Sequence, residues 1–283
     1  MSVYDIITGK IIEILQRGVI PWKAGWSQRL ASNLVTQNPY RGINALLLNT
    51  VMMDHKYPWF LTFKQAKAYG GYVIKGSHGY PVCFYMKGGS SSEDDDVNEK
   101  EESKRFLMYS TVFNLDQCEG IELKSIKGMK EYSSNEFNNE EAERIISCWR
   151  KVVNMKEGNK ASYLPSKDLI TMPDKKIWTE RCYYYSTFFH EIVHSTGHPD
   201  RLNRFMLNEV FDKQDYSKEE LIAELGSAFL NHDVGIGSLV VENNASYISS
   251  WIKALNNEKM MIVRASSAAQ KAVDYIKEYT RSV

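Results

Sequence analysis

The run Phe188-Phe189-His190-Glu191-Ile192-Val193-His194-Ser195-Thr196-Gly197-His198 constrains this chain more than any other stretch. It contains the pattern H-E-x-x-H. At 3.6 residues per turn a helix brings His190 and His194 to one face, where two imidazoles can share a metal ion. Glu191, one position on, is poorly placed as a ligand but can take a proton from a water polarised by that metal. Two neutral imidazoles, a third ligand from elsewhere and such a carboxylate are what a zinc hydrolase needs. The surroundings agree with a helix: Tyr183, Tyr184, Tyr185, Phe188, Phe189, Ile192 and Val193 make a buried segment in which unpartnered His and Glu would be costly. Gly197 is expected to end it in a left-handed C-cap.

Three residues compete for the third ligand. Asp200 stands six residues after His194, the spacing of the longer H-E-x-x-H-x-x-G-x-x-H pattern with Asp in place of the last His. His198, between Gly197 and Pro199, is expected to follow the chain out of the helix. Glu224 lies in a second helical stretch, residues 217–230. There Ser217 and Glu220 match a capping box, which gives Glu220 an ordinary structural task. Glu224 sits among Leu221, Ile222, Leu225, Ala228 and Phe229, where an unpaired carboxylate would be expensive. The reading assigns the third ligand to Glu224, with Asp200 as runner-up. The metal is expected to be one zinc per chain, another divalent transition metal being possible.

A length of 283 residues allows two domains. The sequence divides them at about residue 125: a first domain over 1–125 and a second over 126–283. No apolar run is long enough to span a membrane and no secretory signal opens the chain, so the expected compartment is the cytoplasm. Cys83, Cys118, Cys148 and Cys182 are scattered and read as reduced thiols, which leaves nitrogen and oxygen to hold a metal.

The net charge of zero hides an asymmetry. Residues 1–88 carry ten Lys/Arg against three acids, a net of +7, whereas residues 93–102 carry seven acids and one Lys, a net of −6. Residues 88–104 read as a flexible acidic insertion, first of all a solvated one; the second reading is an acidic decoy that folds over the basic surface and competes with nucleic acid. Across residues 20–87, aromatic and basic side chains interleave as single-stranded nucleic acid requires, cations for phosphates and rings for unpaired bases. Trp22, Lys23, Tyr40, Arg41, Lys64, Lys67 and Lys75 are the candidates for that surface. Trp59 and Phe63 are assigned to the core.

Local signals place the elements. Ser2 is expected to cap a helix to about Arg17, Asn44 one to about Met53, and Thr62 one to about Tyr69. Residues 72–75 and 80–87 read as a hairpin about Gly76–Gly79. A strand follows over 106–115, a helix over 138–157, a strand pair over 163–172, and helices over 244–255 and 257–279. The fold class is α+β, an α+β first domain followed by a mainly helical second one.

Across nearly its full length the chain resembles antirestriction proteins of the ArdC type, which are related to the N-terminal regions of TraC-type plasmid primases. In the first half the resemblance rests on residues 20–23 (Ile-Pro-Trp-Lys), 39–48, 63–67, 75–76 and 112–114. In the second half it rests on residues 189–198, 220–225 and 250–255. The resemblance implies an N-terminal single-stranded-DNA-binding domain and a C-terminal zincin-like metallopeptidase domain. It further implies a mobile genetic element whose incoming DNA is shielded from restriction, with single-stranded DNA and a protein substrate or restriction-system component as partners. His190, His194 and, in the gluzincin style, Glu224 are the implied ligands, with Glu191 as base. An oxyanion-stabilising group is expected among Tyr183, Tyr184, Tyr185 and His198. The competing reading is a non-proteolytic DNA-coating or replication/transfer accessory protein with a structural metal site.

Overall fold

A computed structural model of the chain describes residues 2–23, 30–87, 105–122, 139–204, 213–236 and 245–282. The acidic stretch 93–102, and the rest of the insertion over 88–104, lie outside these residues.

The first half opens with helix α1 (Val3–Gln16), where Ser2 and Asp5 form a capping box. Its spacing of Ile7, Ile11, Ile14 and Leu15 buries one face, and Gly18 then takes a left-handed φ of 81° to turn the chain. There follow β1 (Ser32–Asn33), α2 (Gly42–Val51), β2 (Trp59–Thr62), α3 (Phe63–Ala68), β3 (Tyr72–Val73), β4 (Tyr80–Lys87), β5 (Arg105–Asn114) and β6 (Cys118–Glu119). The sheet order is β1-β2-β5-β4, with β1 parallel to β2 and the other pairs antiparallel.

Two sequence expectations fail here for non-local reasons. Residues 72–87 do not make a hairpin: β3 pairs with β6, and β4 pairs with β5 across the acidic insertion. Asn44 does not cap α2, which starts at Gly42. Its amide instead grips the free edge of β4, accepting from the Cys83 N–H at 2.7 Å and donating to the Cys83 carbonyl at 2.7 Å.

The second half comprises α4 (Asn139–Trp149), β7 (Asn154–Glu157), β8 (Ser162–Leu164), β9 (Leu169–Met172), α5 (Arg181–Ser195), α6 (Lys213–Asp233), α7 (Ala245–Asn257) and α8 (Met261–Ser282). The helix expected over 138–157 stops at Trp149, because residues 154–157 pair with β9. The small sheet has the order β7-β9-β8, which leaves β8 at an edge beside α5.

One hydrophobic cluster runs through both halves, uniting Ile7, Leu15 and Leu46 with Trp149, Phe189 and Ile276. Polar ties follow the same seam: Thr8 donates to the Lys259 carbonyl at 2.6 Å and the Gly42 N–H donates to Gln270 at 3.0 Å. Two smaller clusters, around Phe60 and around Trp59 and Leu61, belong to the first half alone. The molecule is therefore a mixed helix-and-sheet fold, sheet-rich at first and mainly helical after residue 180. No helix among the described residues is long and apolar enough to cross a membrane.

Candidate metal centre

Helix α5 carries the H-E-x-x-H run on a core-facing wall of Tyr184, Tyr185, Phe188, Phe189, Ile192 and Val193. Its C-terminal end is not closed by Gly197, which is not left-handed. Arginines cap it instead: Arg201 Nε donates to the Ser195 carbonyl at 2.6 Å and Arg204 to the Val193 carbonyl at 2.8 Å.

His190 and His194 converge as the one-turn spacing requires, their Nε2 atoms 3.0 Å apart. The carboxylate that joins them is Glu220, with Oε2 3.5 Å from His190 Nε2 and Oε1 3.5 Å from His194 Nε2. One donor atom from each of His190, His194 and Glu220 lies within 4.8 Å of the others. Two metal–donor bonds of about 2.0–2.1 Å at a tetrahedral angle hold their donors about 3.3 Å apart, so the three atoms fit a single cation. The donor set is two nitrogens and one oxygen on one side, with a cavity on the other.

That arrangement corrects the sequence reading of the third position. Glu224, one turn further along α6, faces the first half of the chain. Its carboxylate accepts from the indole N–H of Trp22 and the hydroxyl of Tyr247, and lies 3.5 Å from Lys23 Nζ. The buried carboxylate is satisfied, but by an inter-half clasp and not beside the imidazoles. Glu220 has no capping task to occupy it, since α6 begins at Lys213 and Ser217 is inside the helix. Asp200 is 87 % exposed along its side chain and meets His198, not the imidazole pair.

The surrounding residues set the state of these candidate ligands. Glu219 accepts from His194 Nδ1 at 3.2 Å and is itself gripped by Arg204 at 2.8 and 2.9 Å. With Nδ1 so engaged, Nε2 is the atom presented to a cation. Burial alone would lower the His194 pKa. The bonds to Glu219 and Glu220 outweigh it and push the pKa up to about 9, so proton and cation compete for this ring. Burial would raise Glu220, yet His190 and His194 hold its carboxyl well below the usual carboxylate range.

Glu191 is buried, and burial pushes its carboxyl pKa up against the opposing pull of His190 and His194. A cavity of about 460 Å³ opens over His190, Glu191, His194 and Glu220, bordered by Ser162, Tyr163 and Tyr216. Of the tyrosines expected beside the site, Tyr184 and Tyr185 stand elsewhere. Tyr185 bonds Lys175 and Glu143, and Tyr184 packs on Trp178 and Phe188. Glu219, Glu220, Arg204, Tyr163 and Tyr216 are the site residues that sequence reasoning missed. An E-E-x-x-x-E run on a helix was the signal available for two of them.

The candidate nucleic-acid residues divide. Trp22 is 4 % exposed, packs edge-on against Trp251 and donates to Glu224, so it presents no stacking face. Lys23 lies over the Tyr247 ring. Tyr40 is half-buried against Phe60, and the exposed Arg41 pairs with Asp274. Lys64, Lys67 and Lys75 are exposed as expected. Phe63, assigned to the core, is 57 % exposed, and Tyr72, on β3, is 56 % exposed. Trp59 is buried as expected.

Residues 1–113 match the model of the N-terminal domain of anti-restriction factor ArdC, and residues 140–268 that of a zincin-like metallopeptidase. The metal-free crystal structure of antirestriction ArdC from plasmid R388 superposes with a TM-score of 0.78 at 28% identity, covering 100% of this chain and 99% of that one. Its Mn(II)-bound form gives 0.77 at 29% identity, covering 99% and 98%. DNA primase TraC of Escherichia coli is 31% identical over 96% of this chain, and a second TraC is 33% identical over 96%. The chain spans only 27% and 20% of the length of those primases. The protein y4eC of Sinorhizobium fredii is 27% identical over 97% of this chain and 91% of its own length. The two matched regions and the end-to-end superposition give the chain the ArdC architecture throughout, an ArdC-type N-terminal domain followed by a zincin-like metallopeptidase domain.

Proposed function

We propose that this protein is an antirestriction factor of a mobile genetic element, which binds single-stranded DNA through its first half and cleaves a protein at the metal centre of its second. The observation that carries the enzymatic part is the buried Glu191 carboxylate at the floor of a cavity beside His190, His194 and Glu220. A site built only for structure has no use for a general base and is closed by a fourth protein ligand.

His190, His194 and Glu220 would hold the cation, Zn(II) by donor type. Mn(II), which the related R388 protein binds, is the alternative. When bound, the cation supplies Lewis acidity. The Glu191 carboxylate accepts a proton from the attacking water and returns it to the leaving amine, a role suited to a carboxyl whose pKa burial has raised. The edge strand β8 borders the cavity and offers backbone groups to an extended peptide. Single-stranded DNA is assigned to the stretch 63–75, where the exposed rings of Phe63 and Tyr72 alternate with the exposed cations Lys64, Lys67 and Lys75.

The test compares the proteomes of cells carrying the wild-type protein and Glu191→Gln. A protein that accumulates only with the variant is the expected substrate. Identical proteomes, with both proteins metal-loaded and antirestriction intact, would transfer the function to the DNA-binding half.

A further inference from the structure

Five titratable side chains of the cavity have roles above: His190, His194 and Glu220 as ligands, Glu191 as base and Glu219 as the partner of His194 Nδ1. Two phenols also border it, Tyr163 and Tyr216, and their surroundings differ. The Tyr163 hydroxyl donates to Asp168 at 2.8 Å and accepts from Arg201 at 3.2 Å, and Arg201 is anchored on Asp168 and Ser195. That phenol is tied on both sides and points into a structural network. Tyr216 stands one helical turn before Glu220 on α6, so the two share a face of that helix; it is 62 % exposed and borders the cavity with His190, Glu191 and Glu220. It is therefore an open phenol at the rim of the cavity that holds His190, His194 and Glu220, on a side chain with room to move.

We propose that Tyr216 is a catalytic residue, whose phenolic O–H donates to the substrate oxygen when water adds to the peptide carbonyl. The inference rests on the peptidase reading above. The step balances within the residues named. The water oxygen bonds to the carbonyl carbon, the carbonyl π pair moves onto its oxygen, and Glu191 takes the water proton. Tyr216 hydrogen-bonds the new oxyanion without giving up its own proton. On collapse the C–N bond breaks and Glu191 delivers its proton to nitrogen. A donor aimed at charge that develops only in the transition state accelerates the chemical step and leaves ground-state binding nearly unchanged.

The test uses the full chain loaded with Zn(II) or Mn(II), as wild type and Tyr216→Phe. The probe is a pool of phosphinic tetrapeptides varied on both sides of phosphorus, whose tetrahedral anionic group mimics the water adduct. The exposed position of Tyr216 makes the Phe variant fold-neutral, which its melting temperature checks. The expected result is metal affinity unchanged within about twofold and phosphinic-peptide affinity lowered about ten- to a hundredfold, the worth of one hydrogen bond to a charged group. Equal peptide affinity in the two proteins overturns the assignment while leaving the peptidase reading in place. A matching loss of metal affinity also overturns it, making Tyr216 a positioning residue for Glu220. No binding of any pool member by the metal-loaded wild type removes the peptidase reading and the assignment together.

Discussion

Glu220 and Glu224 are the same residue type, one turn apart on α6, and they serve different halves of the molecule. Glu220 faces the two imidazoles of α5. Glu224 faces Trp22, Lys23 and Tyr247, closing the first half onto the second. Both are largely buried, so desolvation does not distinguish them. What distinguishes them is the kind of partner: nitrogen lone pairs that a cation can share, or N–H and O–H donors that satisfy the carboxylate outright. A buried carboxylate on a helix thus announces that it has a partner, without saying whether that partner is a metal or a distant indole.

The largest expected effects separate the two roles. Glu220→Ala should lower affinity for Zn(II) or Mn(II) by more than about a hundredfold, as should His194→Ala, since ligand loss exceeds the 10- to 100-fold cost of losing an outer partner. Glu224→Ala should leave metal affinity within about twofold. Isothermal titration of the four proteins checks this, and strong metal loss in Glu224→Ala alone would reverse the assignment. Glu224→Ala should instead destabilise the fold by about 2–4 kcal/mol, because it strands the Trp22 N–H and the Tyr247 hydroxyl. A melting temperature equal to that of the wild type would remove the clasp.

Next in size is Glu219→Gln. It keeps the shape of the side chain that holds His194 Nδ1 but removes the charge, and metal affinity should fall about tenfold. The His194 pKa, raised from 6.5 to about 9, gives this a pH signature. In the cation-free protein that proton stabilises the fold fully below 6.5, and its contribution is lost as pH rises through about 9. Metal binding must expel the same proton, so wild-type affinity should strengthen with pH up to about 9. In Glu219→Gln the plateau should arrive at lower pH. An unshifted plateau would mean that Glu219 does not set the charge state of His194.

How much of this was legible in the sequence follows the range of the contacts. The α5 helix, its imidazole pair and the Ser2 and Thr62 capping boxes depend on neighbours within a turn or two, and they appear where local spacing puts them. The choice between Glu220 and Glu224 was not local. It turned on α6 starting at Lys213, which cancels the apparent Ser217 cap, and on Trp22, 202 residues away. The β3–β6 pairing and the grip of Asn44 on β4 were hidden for the same reason. Phe63 shows another limit. Helix α3 is six residues long and buries only Ala66, too short for periodicity to say which side is inward.

The face assigned to DNA gives the sharpest contrast with the candidate metal centre. Trp22 was a candidate for stacking and is enclosed, whereas Phe63 was placed in the core and is open. If exposed cations near Phe63 and Tyr72 contact phosphates, each should release about 0.7 counterion from single-stranded DNA. Replacing Lys64, Lys67 and Lys75 together by Gln in the full chain should then flatten the slope of log affinity against log salt by about two. Phe63→Ala should weaken binding by about 1–3 kcal/mol with no change in that slope, since stacking is not ionic. Trp22→Phe should leave the slope and the affinity alone while lowering the melting temperature, because its indole donates to Glu224 and not to DNA. A Trp22→Phe protein that melts normally and binds DNA poorly would return Trp22 to the DNA surface and break the division between clasp and binding face.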